Sequence, residues 1–131
     1  MCILWCVAMG LTACQSTSTS SGAVSKADPS LTLTSIRDQL ARGEVVEARQ
    51  RAWRLSSEHP DTAEIHVVLA SAYALEGRYN EALRSSQRAT ELAPKKPGGW
   101  LTQGVALEGL GRFDDAVVAT QAVLQIDDKH V

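Results

Sequence analysis

Cysteine is scarce in this 131-residue chain, and Cys2, Cys6 and Cys14 all fall within the first fourteen positions. A disulfide framework for the body of the chain is therefore excluded. Aromatic residues make up only 5%. With alanine abundant, that suits thin, closely packed helices better than a β-sandwich. Neither sign of charge dominates: the net charge is −2, which leaves no bulk electrostatic case for nucleic acid. Histidine is limited to His59, His66 and His130. No His/Cys/Asp spacing matches a metal site or a catalytic triad. The glycine-containing stretch Lys95-Lys96-Pro97-Gly98-Gly99 reads as a loop and lacks the frame of a phosphate cradle. The acids look like ordinary first-turn residues, which favour a helix N-terminus electrostatically. No enzyme, metal or cofactor is expected. The apolar run Ile3–Leu11 is too short to span a bilayer, which needs about 20 residues.

What the chain does have is a repeat. Arg42-Gly43-Glu44-Val45-Val46-Glu47-Ala48 returns as Glu76-Gly77-Arg78-Tyr79-Asn80-Glu81-Ala82 and again as Leu110-Gly111-Arg112-Phe113-Asp114-Asp115-Ala116, each step being 34 residues. A fixed period near that length is the signature of a helix-turn-helix array. The length fits one domain, and 44% hydrophobic with 21% charged residues is a globular composition. Charge is unevenly placed, with Arg37, Arg42, Arg49, Arg51 and Arg54 near the start and Glu108, Asp114, Asp115, Asp127 and Asp128 near the end. Solvated helix faces account for that distribution.

Apolar spacing and turn residues predict helices near Leu31–Arg42 and Val45–Ser57, a third that starts within Asp61–Glu64 and runs to about Leu75, and others near Tyr79–Leu92, Trp100–Gly109 and Phe113–Asp127. Ser30 is expected to cap the first, and Asp61 with Glu64 to open the third. Gly43 supplies a left-handed turn, and Pro60 and Pro94 close their units. Small Ala48, Ala82 and Ala116 let paired helices approach, while Leu69, Tyr73, Tyr79 and Trp100 fill the space between pairs. No single pair buries its apolar face alone, so stacking makes such an array fold.

These residues resemble the tetratricopeptide repeat family, whose pattern runs W-x₂-L-G-x₂-Y, then Ala, an aromatic and Pro. Leu69, Ala70, Tyr73, Gly77, Tyr79, Ala82, Ala89 and Pro94 match in the second repeat, and Trp100, Gly104, Leu107, Gly111, Phe113 and Ala116 in the third. The first matches from Gly43 to Pro60, but Thr32 and Gln39 stand where large apolar residues are expected. His66 takes the family's Trp position and is expected to pack between helices. The resemblance implies an all-α fold, an α-solenoid of three tetratricopeptide helix-turn-helix repeats over 29–131, divided 29–62, 63–96 and 97–131.

Ahead of the array, Leu11-Thr12-Ala13-Cys14 ends the apolar run and resembles the bacterial lipobox. That resemblance implies a signal peptide over 1–13 and lipidation of Cys14, although no Lys or Arg precedes the apolar run. Residues 14–28 would carry the lipid and a tether, since Gln15–Gly22 is Ser/Thr-rich with nothing to bury. Gln15 in place of Asp points, by the same resemblance, to the periplasmic face of the outer membrane.

In this family partners bind a concave groove. The matching inward positions are Leu33, Arg37 and Leu40, then Glu64, Val67, Ser71 and Ala74, then Leu101, Val105 and Glu108. The alternative is that Leu33, Val67 and Leu101 complete the core. The Lys/Asn carboxylate clamp of chaperone-binding members is absent, since Val67, Ser71, Leu101 and Val105 stand in its place. A small, mildly apolar groove suits a helix or an extended apolar segment. The last helix, Ala116–Ile126, is apolar over more of its circumference than packing within one pair requires. It is expected to pack against a second copy or a partner.

The layout resembles tetratricopeptide lipoproteins of pilus assembly, of the Flp (tight-adherence) and type IV pilotin types. It implies a scaffold or assembly factor for an envelope machine such as a pilus or secretion system, with pilus or secretin subunits as protein partners and membrane contact through the lipid. The alternative is an adaptor that docks peptidoglycan-remodelling enzymes.

Overall fold

The structure, a computed structural model, describes residues 28–128. The chain divides into two compact units, Met1–Thr32 and Leu33–Val131. The described residues of the first are the opening turn of a helix. There the Asp28 carboxylate accepts from the Ser30 backbone N–H at 3.2 Å and from its hydroxyl at 3.0 Å. Asp28, not Ser30, is therefore the cap, because the helix begins at Pro29, whose fixed φ suits a first helical position. Signal peptide, Cys14 and most of the tether lie outside the described residues.

Six helices make up the described residues, with no strand among them: α1 (Pro29–Ala41), α2 (Val45–Glu58), α3 (Ala63–Leu75), α4 (Tyr79–Leu92), α5 (Pro97–Gly109) and α6 (Phe113–Asp128). Three identical turns join α1 to α2, α3 to α4 and α5 to α6. Gly43, Gly77 and Gly111 take φ of 84°, 74° and 75°. In each turn the glycine N–H and the next N–H reach back to the preceding helix, as in Arg78 N–H to Tyr73 C=O at 2.9 Å. This is the Schellman closure, which satisfies the orphan carbonyls at a helix end and needs a left-handed residue at that point.

Two expectations change at the other joints. Asp61 does not cap α3: Thr62 is the N-cap residue, without a side-chain hydrogen bond, and the Asp61 carboxylate lies 3.7 Å from Arg88. The stretch 97–99 is not loop but the first turn of α5. Pro97 pre-sets that turn, and Gly99 lets α5 close onto α4. A Cβ at Gly99 would sit 2.9 Å from Thr90 Cγ2 and 3.0 Å from Thr90 N.

The core runs through the stack. Leu33 and Ile36 of α1 join Ala48, Ala52 and Leu55 of α2 and Ile65, Val68 and Leu69 of α3. Farther along, Leu107 of α5 meets Ala116 and Ala119 of α6, with Leu83 and Trp100 packed alongside. Ala48, Ala82 and Ala116 are buried, as their seam role requires. His66 is half-buried and its Nε2 lies 2.8 Å from Pro60 O. One repeat later Trp100 Nε1 donates to Pro94 O at 2.9 Å. The histidine thus substitutes for the Trp and spans the same turn.

One polar contact has no counterpart in the next repeat. Arg49 Nε approaches Glu76 Oε2 to 2.8 Å between partly buried side chains. It is an ion pair whose angles fall outside hydrogen-bonding geometry. Both Arg49 and Arg78 lie over the Tyr73 ring, at 5.8 and 4.9 Å. At the positions 34 residues on, Leu83 and Leu110 stand instead.

Candidate partner-binding site

The first helices of the repeats, α1, α3 and α5, are the A-type helices: α3 packs directly on α5, whereas the backbones of α2 and α4, and of α4 and α6, stay apart among the described residues. Neighbouring A-type helices therefore supply one continuous surface, and the residues between their contact lines are left facing outward from the core.

Leu33 is not part of that surface. It is 3% exposed, in the first core cluster. Leu33 and Ile36 are one turn apart on the same side of α1, and α2 and α3 cover that side. Leu40 is half-buried and packs against the same cluster. The remaining eight expected positions separate into two cavities and an exposed rest. Arg37, Glu64 and Val67 line a cavity of about 280 Å³ with Lys96 and the α5 start, and Lys96 Nζ reaches Glu64 Oε1 at 3.3 Å. Ser71, Ala74 and Val105 line a second, of about 300 Å³, with Leu75, Tyr79 and Thr102. Leu101 and Glu108 are exposed on α5.

The second cavity is the apolar one. Two of its three hydroxyls are already used within their own helices: Ser71 donates to Val67 O at 3.0 Å and Thr102 to Gly98 O at 3.0 Å. Apart from the Tyr79 phenol it offers a partner apolar surface. In its wall Leu75 is 62% exposed and Val105 half exposed, and Leu101, one turn before Val105 on α5, is half exposed as well. Sequence reasoning missed Leu75, Tyr79 and Thr102. A signal for Leu75 existed, because Ala41 and Gly109 occupy its place in the other repeats. The Tyr79 ring occupies the space that a side chain on Gly109 would need.

On α6, Phe113, Val117, Val118 and Leu124 are each more than half exposed, and only Ala116, Ala119 and Val123 are buried. Among the described residues no group of three or more His, Cys, Asp or Glu could hold a metal ion, and no helix is long and apolar enough to cross a membrane.

Comparison with known proteins agrees with this architecture. Residues 63–96 match the tetratricopeptide repeat family model. Over 58 residues, 44% of the chain, the sequence is 40% identical to the heat shock protein sti1 homolog of Schizosaccharomyces pombe, and the match spans 10% of that protein. The second TPR of Spaghetti (RPAP3), solved bound to the HSP90 peptide SRMEEVD, is similar with a TM-score of 0.70 at 19% identity, over 75% of this chain and 91% of that one. The Yersinia enterocolitica type III secretion translocator chaperone SycD, in an alternative dimer, is similar with a TM-score of 0.72 at 14% identity, over 79% of this chain and 78% of that one. Residues 63–96 are thus a tetratricopeptide repeat, and the six described helices have the tetratricopeptide-like helical solenoid fold.

Proposed function

We propose that this chain is a protein-interaction scaffold whose inner face takes up an apolar segment of a partner protein. The carrying observation is the apolar cavity between α3 and α5, with Leu75 and Val105 half or more exposed in its wall and Leu101, one helical turn before Val105, half exposed on the same face of α5. Fully burying one such side chain is worth about 1.5–3 kcal/mol. Three that are half exposed therefore leave a few kcal/mol for a partner to gain, before the costs of association. A protein of the same fold holds a peptide, which supports the mode but not the partner's identity. Replacing Leu101→Glu together with Val105→Glu tests it. Proteins that co-purify with the wild-type chain from membranes should be lost from the variant while its helical circular dichroism is unchanged. Retention of the same partners would move the site elsewhere.

The finer reading is an assembly factor for an envelope machine such as a pilus or secretion system, held at the outer membrane by lipid on Cys14. Leu11–Cys14, Gln15 and the Ser/Thr tether support it. One acyl chain binds membranes only marginally, whereas two or more anchor stably. In cell fractionation, Cys14→Ser should therefore move the protein out of the membrane fraction. A variant that stays with the membranes as the wild type does rules out the lipid anchor.

A further inference from the structure

We propose a second binding site on the outer side of the array, between α2, α3 and α4, which takes an aromatic side chain flanked by carboxylates, as in a short acidic peptide. A cavity of about 300 Å³ opens there, walled by Trp53 of α2, Leu69 and Tyr73 of α3, and Arg84 and Arg88 of α4. It lies where the backbones of α2 and α4 stay apart. Its volume is at the low end of the range of roughly 300–1,000 Å³ for small-molecule pockets. It suits one inserted side chain, with the rest of a segment lying along the valley between the helices.

The chemistry of the walls selects the occupant. Trp53 is 58% exposed at the rim, leaving an indole face that a partner can cover. Leu69 is buried and Tyr73 half-buried, which gives the floor an apolar part beside the polar Ser56, His66 and Ser85. The rim is cationic. Arg84 has no ion pair among the described residues, and Arg88 meets only exposed acids, Asp61 at 3.7 Å and Glu91 at 3.3 Å. The one carboxylate in the wall, Glu81, is held by Arg78 at 2.6 Å. A guanidinium free to form a two-pronged contact favours a carboxylate. Trp and Arg are also the residue types that dominate binding hot spots.

The array supplies its own control. The equivalent cavity one repeat later, about 190 Å³ between α4, α5 and α6, is lined by Gln87, Trp100, Gln103, Leu107, Arg112, Asp115, Val118 and Ala119. Gln87 stands where Trp53 does, and Val118 where Arg84 does. The same backbone folds with glutamine and valine at these two positions, so the helix packing does not require Trp53 or Arg84 there; the indole and guanidinium of the later cavity, Trp100 and Arg112, stand at the positions of His66 and Arg78. No wall residue is shared with the inner cavities.

The test uses fluorescence anisotropy with the full chain and a fluorescein-labelled synthetic peptide, Glu-Asp-Phe-Asp-Glu, at about 0.15 M salt. Saturable binding is expected, weakened by at least ~10-fold in Trp53→Gln and in Arg84→Val. Both substitutions copy the next repeat, and circular dichroism checks that they leave the fold intact. The Leu101→Glu chain should bind as the wild type does. The proposal is overturned if binding does not saturate, or if either outer-site variant binds as tightly as the wild type. It is equally overturned if a peptide with Ala for Phe binds equally well, which would be charge attraction alone, or if Leu101→Glu abolishes binding, which would place the peptide in the inner groove.

Discussion

Gly98 and Gly99 are neighbours in sequence, and the structure gives them opposite sensitivities to a methyl group. A Cβ on Gly99 would lie 2.9 Å from Thr90 Cγ2, 3.0 Å from Thr90 N and 3.3 Å from Ala89 C. Two of those atoms are backbone of α4, so no side-chain rotation relieves the overlap and α5 must move off α4. Overpacking of this kind costs about 1–3 kcal/mol. Against it stands the gain from replacing a helical glycine with alanine, up to about 1 kcal/mol in a helix interior and less in a first turn. The net for Gly99→Ala is a loss of roughly 1–2 kcal/mol. For a domain of this size each kcal/mol moves Tm by about 4–8 °C, so the midpoint should fall by roughly 5–15 °C. A Cβ on Gly98 would meet only Val67 Cγ1 and Cγ2, at 3.5 Å, which is ordinary contact. Gly98→Ala should leave the midpoint unchanged or raise it by a few degrees through lost unfolded-state entropy. Thermal unfolding followed by circular dichroism at 222 nm reads both. Equal midpoints for the two variants, or a rise in Gly99→Ala, would refute the argument that glycine is there to bring α5 onto α4.

Two further perturbations test the polar contacts. Glu76→Leu leaves Arg49 partly buried without its partner and should cost about 1–3 kcal/mol. Adding Arg49→Leu recreates the Leu83/Leu110 pairing of the next repeat and should recover most of that in denaturant unfolding. No recovery would mean that the two sites are not equivalent. The hydrogen bond from Arg78 holds the Glu81 carboxyl below its ordinary pKa, and the same bond raises that of Arg78. A folded-state pKa below the unfolded one means that this pair's contribution is present above the unfolded value and lost as pH falls through the folded one. The Glu81 side-chain NMR signal should therefore titrate below the usual glutamate range, and return toward it in Arg78→Ala. Titration at the ordinary value in the wild type would contradict the pairing.

The spacing of 34 residues, the six helices and the three left-handed glycines are all legible in the sequence, because each is set by a few consecutive residues. A glycine at the turn, alanine in the seam and proline after the second helix act through local backbone geometry, and the repeat states each of them more than once. Trp53 was legible too, had it been compared with Gln87 and Gln121 at the same repeat position. What only the tertiary structure decided is which face of a helix its neighbours cover. Leu33 and Leu101 occupy the same repeat position, yet one is 3% exposed in the core and the other 52% exposed on the surface. Helical periodicity places both on one face of their helices. It does not say which face the neighbouring helices, distant in sequence, bury, and the reach of those neighbours also sets the inner and outer cavities.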